Sequence, residues 1–311
     1  MKIITLLLIL FFVSTIPLQS QTAHESTVLA SGGQSSAVSN LTHLAVIGEA
    51  AIALNQSNQH NAGFIFRLGN LQLTGLDIAL FLEGAWDQSG NMHTGLFTAD
   101  LIPHTQPYNT EPWNYAGNES AHEIPAGVVD WILVELRDAP TAAQAIPATV
   151  VEGWPKALFL RSNGSVADTN GNVPSYTFNN ITDSLFVVIR HRNHLAVMSS
   201  HGLTLTGNTY SYDFTDDITK TYGGEVGYKQ LEEGVYGMVG GDADADGNIF
   251  MSDRTLWRGE LGTTVTYHST DFDMDGNIFM SDRTLWRSNL GTSNPITGFF
   301  VKPRFTSQVP K

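Results

Sequence analysis

Eight aspartates toward the C-terminal end of the sequence are spaced for one kind of chemistry. Asp242, Asp244 and Asp246 alternate along the chain and Asp253 follows; Asp271, Asp273, Asp275 and Asp282 repeat that spacing. At an offset of 29, Asp242–Thr263 and Asp271–Thr292 are identical at eighteen of twenty-two positions, with the pattern D-x-D-x-D-G-N-I-F-M-S-D-R-T-L-W-R-x-x-L-G-T. Two carboxylates about 5 Å apart repel by roughly 1 to 3 kcal/mol at effective dielectrics between water and a protein surface. Four converging in one short loop therefore require a counter-charge. Oxygen-only donors on a flexible loop select calcium ahead of zinc or copper, and magnesium prefers a tighter octahedral shell.

Numbered from its first aspartate, each loop carries carboxylates at 1, 3, 5 and 12 and glycine at 6, the positions that face one calcium ion in an EF-hand loop. Asp242, Asp244 and Asp246 supply three oxygens, Asp253 closes the shell from position 12, Gly247 permits the turn, and the carbonyl of Asn248 is the ligand at 7. Asp271, Asp273, Asp275, Gly276, Asn277 and Asp282 repeat these roles, so two calcium ions are expected. Ile249 and Ile278 at position 8 are expected to pair across a short β bridge that ties the loops together.

A short helix must follow each loop. Ser252 and Asp253 give the first an N-cap, Leu256, Trp257 and Leu261 an apolar side, and Gly262 a stop; Ser281, Asp282, Leu285, Trp286, Leu290 and Gly291 serve the second. No helix enters either loop, because MVGG and TYHST do not read as helices.

Two short repeats with an outgoing helix only, and Asp rather than Glu at position 12, resemble a type I dockerin domain over about 55 residues of the 311. The resemblance implies two loop–helix units related by a pseudo-twofold axis, docking onto a cohesin module, and partner choice by residues 10 and 11 of each loop. Those are Met251 and Ser252, and Met280 and Ser281; with Arg254 and Arg283 they are the same in both copies, so a partner has two equivalent faces to meet. The chain departs from the family at position 9, where Phe250 and Phe279 stand in place of a polar residue and a water must complete the shell. The same Met, Phe, Trp and Arg surface also suits packing against the rest of this chain.

The remaining elements read as β structure. The expected class is mainly β: a Gly/Ser-rich short-strand module over 21–69, an antiparallel β-sandwich over 70–236, the small α dockerin-like pair over 237–292 and a C-terminal tail over 293–311. LQLTGLDIALFLEGAW, VVDWILVELRD and SLFVVIRHRNHLAVMSS are the strong strand regions. VVDWILVELRD is apolar on both faces, which fits a strand covered on both sides. YTFNNI, HGLTLTG and TYSYDFT are shorter. GFFVKPRF in the tail is either a strand closing onto another part of the chain or an end segment. Residues 1–20 read as a signal peptide, with Lys2 ahead of the apolar run Ile3–Val13. The short-strand module after it resembles those of secreted bacterial surface proteins.

Composition narrows the function. Thirty acidic against sixteen basic residues give a net charge of −14, which argues against nucleic acid or an anionic membrane as partner. With no cysteine, thiolate catalysis, thiolate metal sites and disulfides are excluded. No nucleophile elbow, phosphate loop, zinc helix motif or dinucleotide fingerprint occurs, and no enzymatic activity is expected. His191 and His194, three apart on an expected strand, would face opposite sides and form a structural cluster. Tyr108, Trp113 and Tyr115 lie in the loop PHTQPYNTEPWNYAGNES, where aromatic rings either stack on sugars or pin the loop to the core. The expectation is a secreted, non-catalytic calcium-binding surface or matrix protein; the alternative is an accessory glycan-binding protein in polysaccharide capture, anchored by its repeats. An unrecognised hydrolase is the third reading.

Overall fold

The computed structural model describes residues 25–29, 35–39, 73–178, 180–293, 300–302 and 304–311. The chain forms two compact units, 1–71 and 72–311. In the first, β1 (Glu25–Leu29) and β2 (Ser35–Ser39) pair antiparallel, two of the short strands expected there. The expected signal peptide and the strands over HLAVIGEAAIAL and AGFIFRLG lie outside the described residues.

The second unit is mainly β. In chain order its strands are β3 (Thr74–Ala79), β4 (Val128–Ala139), β5 (Lys156–Arg161), β6 (Val166–Ala167), β7 (Ser175–Tyr176), β8 (Ser184–Arg190), β9 (Val197–Met198), β10 (Thr204–Thr206), β11 (Thr209–Asp213), β12 (Tyr228–Glu232), β13 (Val235–Met238), β14 (Thr292–Ser293) and β15 (Phe300–Lys302). The α-helices among the described residues are α1 (Gly95–Thr98), α2 (Met251–Glu260) and α3 (Met280–Asn289). None is long and apolar enough to cross a membrane.

The largest sheet has the order β6-β5-β4-β8-β9 and is antiparallel throughout. β4 is its centre. Twelve residues long and buried along almost its whole length, it has layers on both faces, which is why its sequence is apolar on both. The second sheet, β10-β11-β3-β7, is mixed: β11 runs parallel to β3, against the expectation of antiparallel pairing alone. Leu76 and Ile78 of β3 share one core with Trp131, Ile132, Val134, Phe159 and Ile189 of the larger sheet, while Ala139, Phe186, Val188 and Met198 of that sheet are buried in a separate cluster.

A second, smaller core joins the repeats to this body. Ile249, Ile278, Trp257, Trp286 and Phe272 from the repeats pack with Leu195, Val239 and Phe305. The divisions drawn at 236 and 292 therefore do not separate compact bodies: residues 72–311 are one. The C-terminal segment closes onto it. Phe305 is buried, Thr306 bridges Asn248, the Ser307 hydroxyl donates to the Ala196 carbonyl at 2.7 Å, and Arg137, buried within β4, donates to the Pro310 carbonyl at 2.9 Å.

Candidate metal centre

Each repeat folds as a tight loop followed by a ten-residue helix. The glycines at position 6 adopt the left-handed backbone the turn needs, Gly247 at φ 88° and Gly276 at φ 85°. The loops curl round their own first aspartate: Asp242 accepts from the amide of Gly247 at 3.2 Å, and Asp271 from that of Gly276 at 3.0 Å. Asp246 and Asp275 accept from the amides of Asn248 and Asn277 at 2.7 Å. The result in each loop is three carboxylates, Asp242, Asp244 and Asp246 or Asp271, Asp273 and Asp275, with an oxygen of each within 4.8 Å of the others.

The position-12 residues sit at the base of each loop. Asp253 accepts from the amides of Ala243 and Phe250, both at 2.7 Å; Asp282 accepts from Phe272 at 2.6 Å and Phe279 at 2.7 Å. Neither belongs to the mutually close triplet. A carboxylate has about four lone-pair directions, so these bonds leave Asp253 and Asp282 with acceptor capacity toward the loop interior. They also correct the expected helix start: Phe250 and Phe279 are the N-caps, and the aspartates reach back to their amides from the third helical position. Gly262 ends α2 in left-handed conformation at φ 97°.

Several carboxyls of both loops are held above their usual range. Burial, reinforced by Asp253, Asp244 and Asp246, pushes the Asp242 carboxyl well above the usual carboxylate range. Burial pushes Asp253 up to about 7 against its amide bonds, Asp282 up to about 7 with Asp273 adding, and Asp271 up to about 7 against the pull of Arg192. One buried oxygen in each loop, Oδ1 of Asp242 and Oδ1 of Asp273, has no hydrogen-bond partner. Leaving a buried acceptor unpaired costs about 1 to 3 kcal/mol, more when it is charged. The donor set is all oxygen and anionic, so its chemistry fits a hard divalent cation.

The loops are not joined by the expected Ile249–Ile278 bridge. Both isoleucines are fully buried, but Ile278 exchanges bonds with Thr263 and Gly262, and Asn277 bridges Thr264, while Asn248 bridges Thr306. Each loop is thus edged by the segment that follows the other repeat's helix. The tie between repeats is a reciprocal exchange: Trp257 Nε1 donates to the Phe279 carbonyl and Trp286 Nε1 to the Phe250 carbonyl, each at 3.0 Å.

The pair nevertheless has a buried edge and an exposed edge among the described residues, although the sequences are nearly identical. Phe250, Met251 and Leu285 pack on the second core and Leu290 is buried. Their counterparts are exposed: Phe279 by 45%, Met280 by 52%, Leu256 by 43% and Leu261 by 47%. Ser252 and Ser281 are exposed, Arg254 and Arg283 half-buried. The expected apolar side of α2 is therefore buried only at Trp257.

A further polar cluster backs the loops. Asp130 of β4 accepts from Tyr267 at 2.6 Å, from Arg192 Nε at 2.9 Å and from His191 Nε2 at 3.1 Å. Burial raises its carboxyl, but Arg192, His191 and Tyr267 prevail and hold it at about 2. His191 and His194 lie beyond β8, not on it, and their rings meet, Nδ1 to Nδ1, at 3.0 Å. Gly84 donates its amide to His194 Nε2 at 3.1 Å, so the His194 proton is on Nδ1. That leaves His191 Nδ1 as acceptor and its Nε2 as donor to Asp130. Both imidazoles are kept neutral, chiefly by burial. The run RHRNH stood out in the sequence, but only the fold brings Asp130 and Tyr267 to it.

The aromatic loop does not present its rings together. Tyr108 is fully buried and donates to the Trp131 carbonyl at 2.7 Å, so it is not available to stack on a sugar. Trp113 stands edge-on to it at 5.1 Å, and Tyr115 donates to Glu119 at 2.5 Å; both are half-buried.

No protein-family model matches the chain, and the search of curated proteins gave no match. Among solved structures, two interface mutants of a type II cohesin–X-dockerin complex from Acetivibrio cellulolyticus are similar to it. The N-terminal interface mutant aligns at 16% identity over 55% of this chain and 82% of that one, with a TM-score of 0.30. The C-terminal interface mutant aligns at 15% identity over the same shares, with a TM-score of 0.29. Likenesses this remote carry no assignment of their own.

Proposed function

We propose that this chain is a non-catalytic, secreted or surface-held protein whose dockerin-like repeats bind two calcium ions. The observation that carries this reading is the unpartnered buried carboxylate oxygen in each of two loops that already gather three carboxylates. Asp242, Asp244, Asp246, the Asn248 carbonyl and Asp253 would hold one ion; Asp271, Asp273, Asp275, the Asn277 carbonyl and Asp282 the other. The cation cancels the mutual repulsion of its ligands and so fixes the loops, their helices and the small core between them. Calorimetric titration of metal-stripped protein with calcium chloride tests this: two equivalents taken up support it, and no uptake refutes it.

The repeats serve two contacts in this reading. One edge packs on the chain's own sheets, and the other, with Phe279, Met280, Leu256 and Leu261, is left for a protein partner such as a cohesin-like module. Exposed Met and Phe on a rigid helical pair suit such a contact. Substituting Met280 and Leu256 with aspartate should abolish capture by a cohesin panel without altering calcium uptake; capture that survives both changes sinks the docking role. A glycan role has less support, because Tyr108 is buried and Tyr115 is engaged by Glu119.

A further inference from the structure

The two calcium loops meet at one residue that neither contains. Asn193, fully buried beyond β8, uses its main-chain carbonyl to accept from Gly241 at 2.9 Å and from Asp242, the first position of the first loop, at 3.2 Å. Its side-chain Nδ2 donates at 2.6 Å to the main-chain carbonyl of Asp271, the first position of the second loop. Its Oδ1 accepts at 2.7 Å from His194 Nδ1, whose other nitrogen is held by the amide of Gly84. Gly84 lies so close to the second loop that a Cβ there would fall 1.9 Å from the Phe272 carbonyl. A chain of direct contacts therefore runs from the sheet residue Asp130 through His191, His194 and Asn193 to the origin of each loop.

On the footing that both loops take calcium, we propose that Asn193 is a positioning residue through which the central sheet sets the calcium affinity of the second loop and holds the two loops in register. The Asp271 carboxylate lies close to those of Asp273 and Asp275, and the Asp271 backbone that carries it is anchored by the Asn193 amide. The first loop is anchored by the Asn193 main chain, which no substitution of the side chain removes. The two loops, nearly identical in sequence, are thereby made to depend differently on one side chain. Partners that orient ligands without touching the metal typically change affinity by about 10- to 100-fold.

The test is calcium titration of the full chain in two backgrounds, Asp242→Asn with Asp244→Asn, which leaves the second loop, and Asp271→Asn with Asp273→Asn, which leaves the first. Asn193→Ala is expected to weaken the second loop by about 10- to 100-fold and the first by less than about threefold, and to shrink the calcium-induced rise in melting temperature more than it lowers the melting temperature of the ion-free protein. Equal weakening of both loops marks a merely structural residue and overturns the proposal, as does no weakening of either. If the parent protein takes up no calcium, the ion sites themselves fall; if it does and Asn193→Ala changes nothing, the coupling alone falls. Should the alanine variant fail to fold, Asn193→Ser, which lacks the amide group that holds the Asp271 carbonyl, is read by the same criteria.

Discussion

Removing calcium should destabilise the whole 72–311 body, not the repeats alone. Extracellular calcium modules have dissociation constants around 10⁻⁴–10⁻³ M. At about 10 mM calcium each loop would sit at roughly 10 to 100 times its dissociation constant, contributing about 1.4 to 2.7 kcal/mol per site by linkage, or about 3 to 5 kcal/mol for two. In a body of about 150–250 residues each kcal/mol moves the melting temperature by about 2–4 °C, so the expected rise is about 6–20 °C. The repeats share a core with Leu195, Val239 and Phe305, and Asn193 and Arg192 join the loops to Asp130 of the central strand. The transition should therefore move as one. Scanning calorimetry of the chelated and calcium-loaded protein reads this directly, and Asp242→Ala with Asp271→Ala should abolish the difference. An unchanged melting temperature would refute the ion sites. A split endotherm in which only a minor part moves would refute the coupling of loops to sheet.

Three further outcomes follow from the loop geometry. In ion-free protein Asp253, Asp271 and Asp282 titrate near 7, against about 3.9 for an unfolded aspartate; the native state then binds the extra protons, so stability is present at acid pH and lost as pH rises through about 7. Melting curves from pH 5.5 to 8 should show this fall without calcium, and a calcium increment that grows over the same range. Gly276→Ala should destabilise more than Gly247→Ala: both pay about 1–2 kcal/mol for left-handed backbone, but a Cβ at 276 would lie 2.5 Å from Leu101 Cδ1, while that at 247 meets Ser307 at an ordinary 3.4 Å. Denaturant melts of the two variants compare them. Trp257→Phe and Trp286→Phe should each cost about 0.5–1.5 kcal/mol in chemical denaturation for one lost hydrogen bond to a helix-cap carbonyl, and the two costs should be similar, because the exchange is reciprocal.

The repeats were legible because their spacing is itself the geometry. Aspartates at alternate positions closed by a glycine turn have few ways to fold, and the sequence placed both helices to within a residue or two. β4 was legible because burial on both faces leaves no polar alternation. What could not be read was anything set by distant pairing. The parallel partnership of β11 with β3 joins segments more than a hundred residues apart, and no local pattern encodes it. The identity of the repeats concealed that Met251 packs inward while Met280 is exposed, since that difference comes from neighbours and not from the residues. For Tyr108 the Pro/Asn-rich loop leaves both a sugar-stacking ring and a pin to the core open, and only the fold decides for the pin, by giving its hydroxyl a buried carbonyl on β4. Strand periodicity would part His191 and His194, but β8 ends at Arg190, and beyond it the two rings touch.

The edging of the first loop by Thr306 has a consequence for the growing chain. The second loop finds its neighbour at Thr264, about a dozen positions upstream; the first must wait for a segment roughly sixty positions downstream, a closure about 1 kcal/mol more demanding in chain entropy. During synthesis the loop made first is thus completed last, and a nascent chain halted before residue 306 would carry one finished pocket and one unfinished.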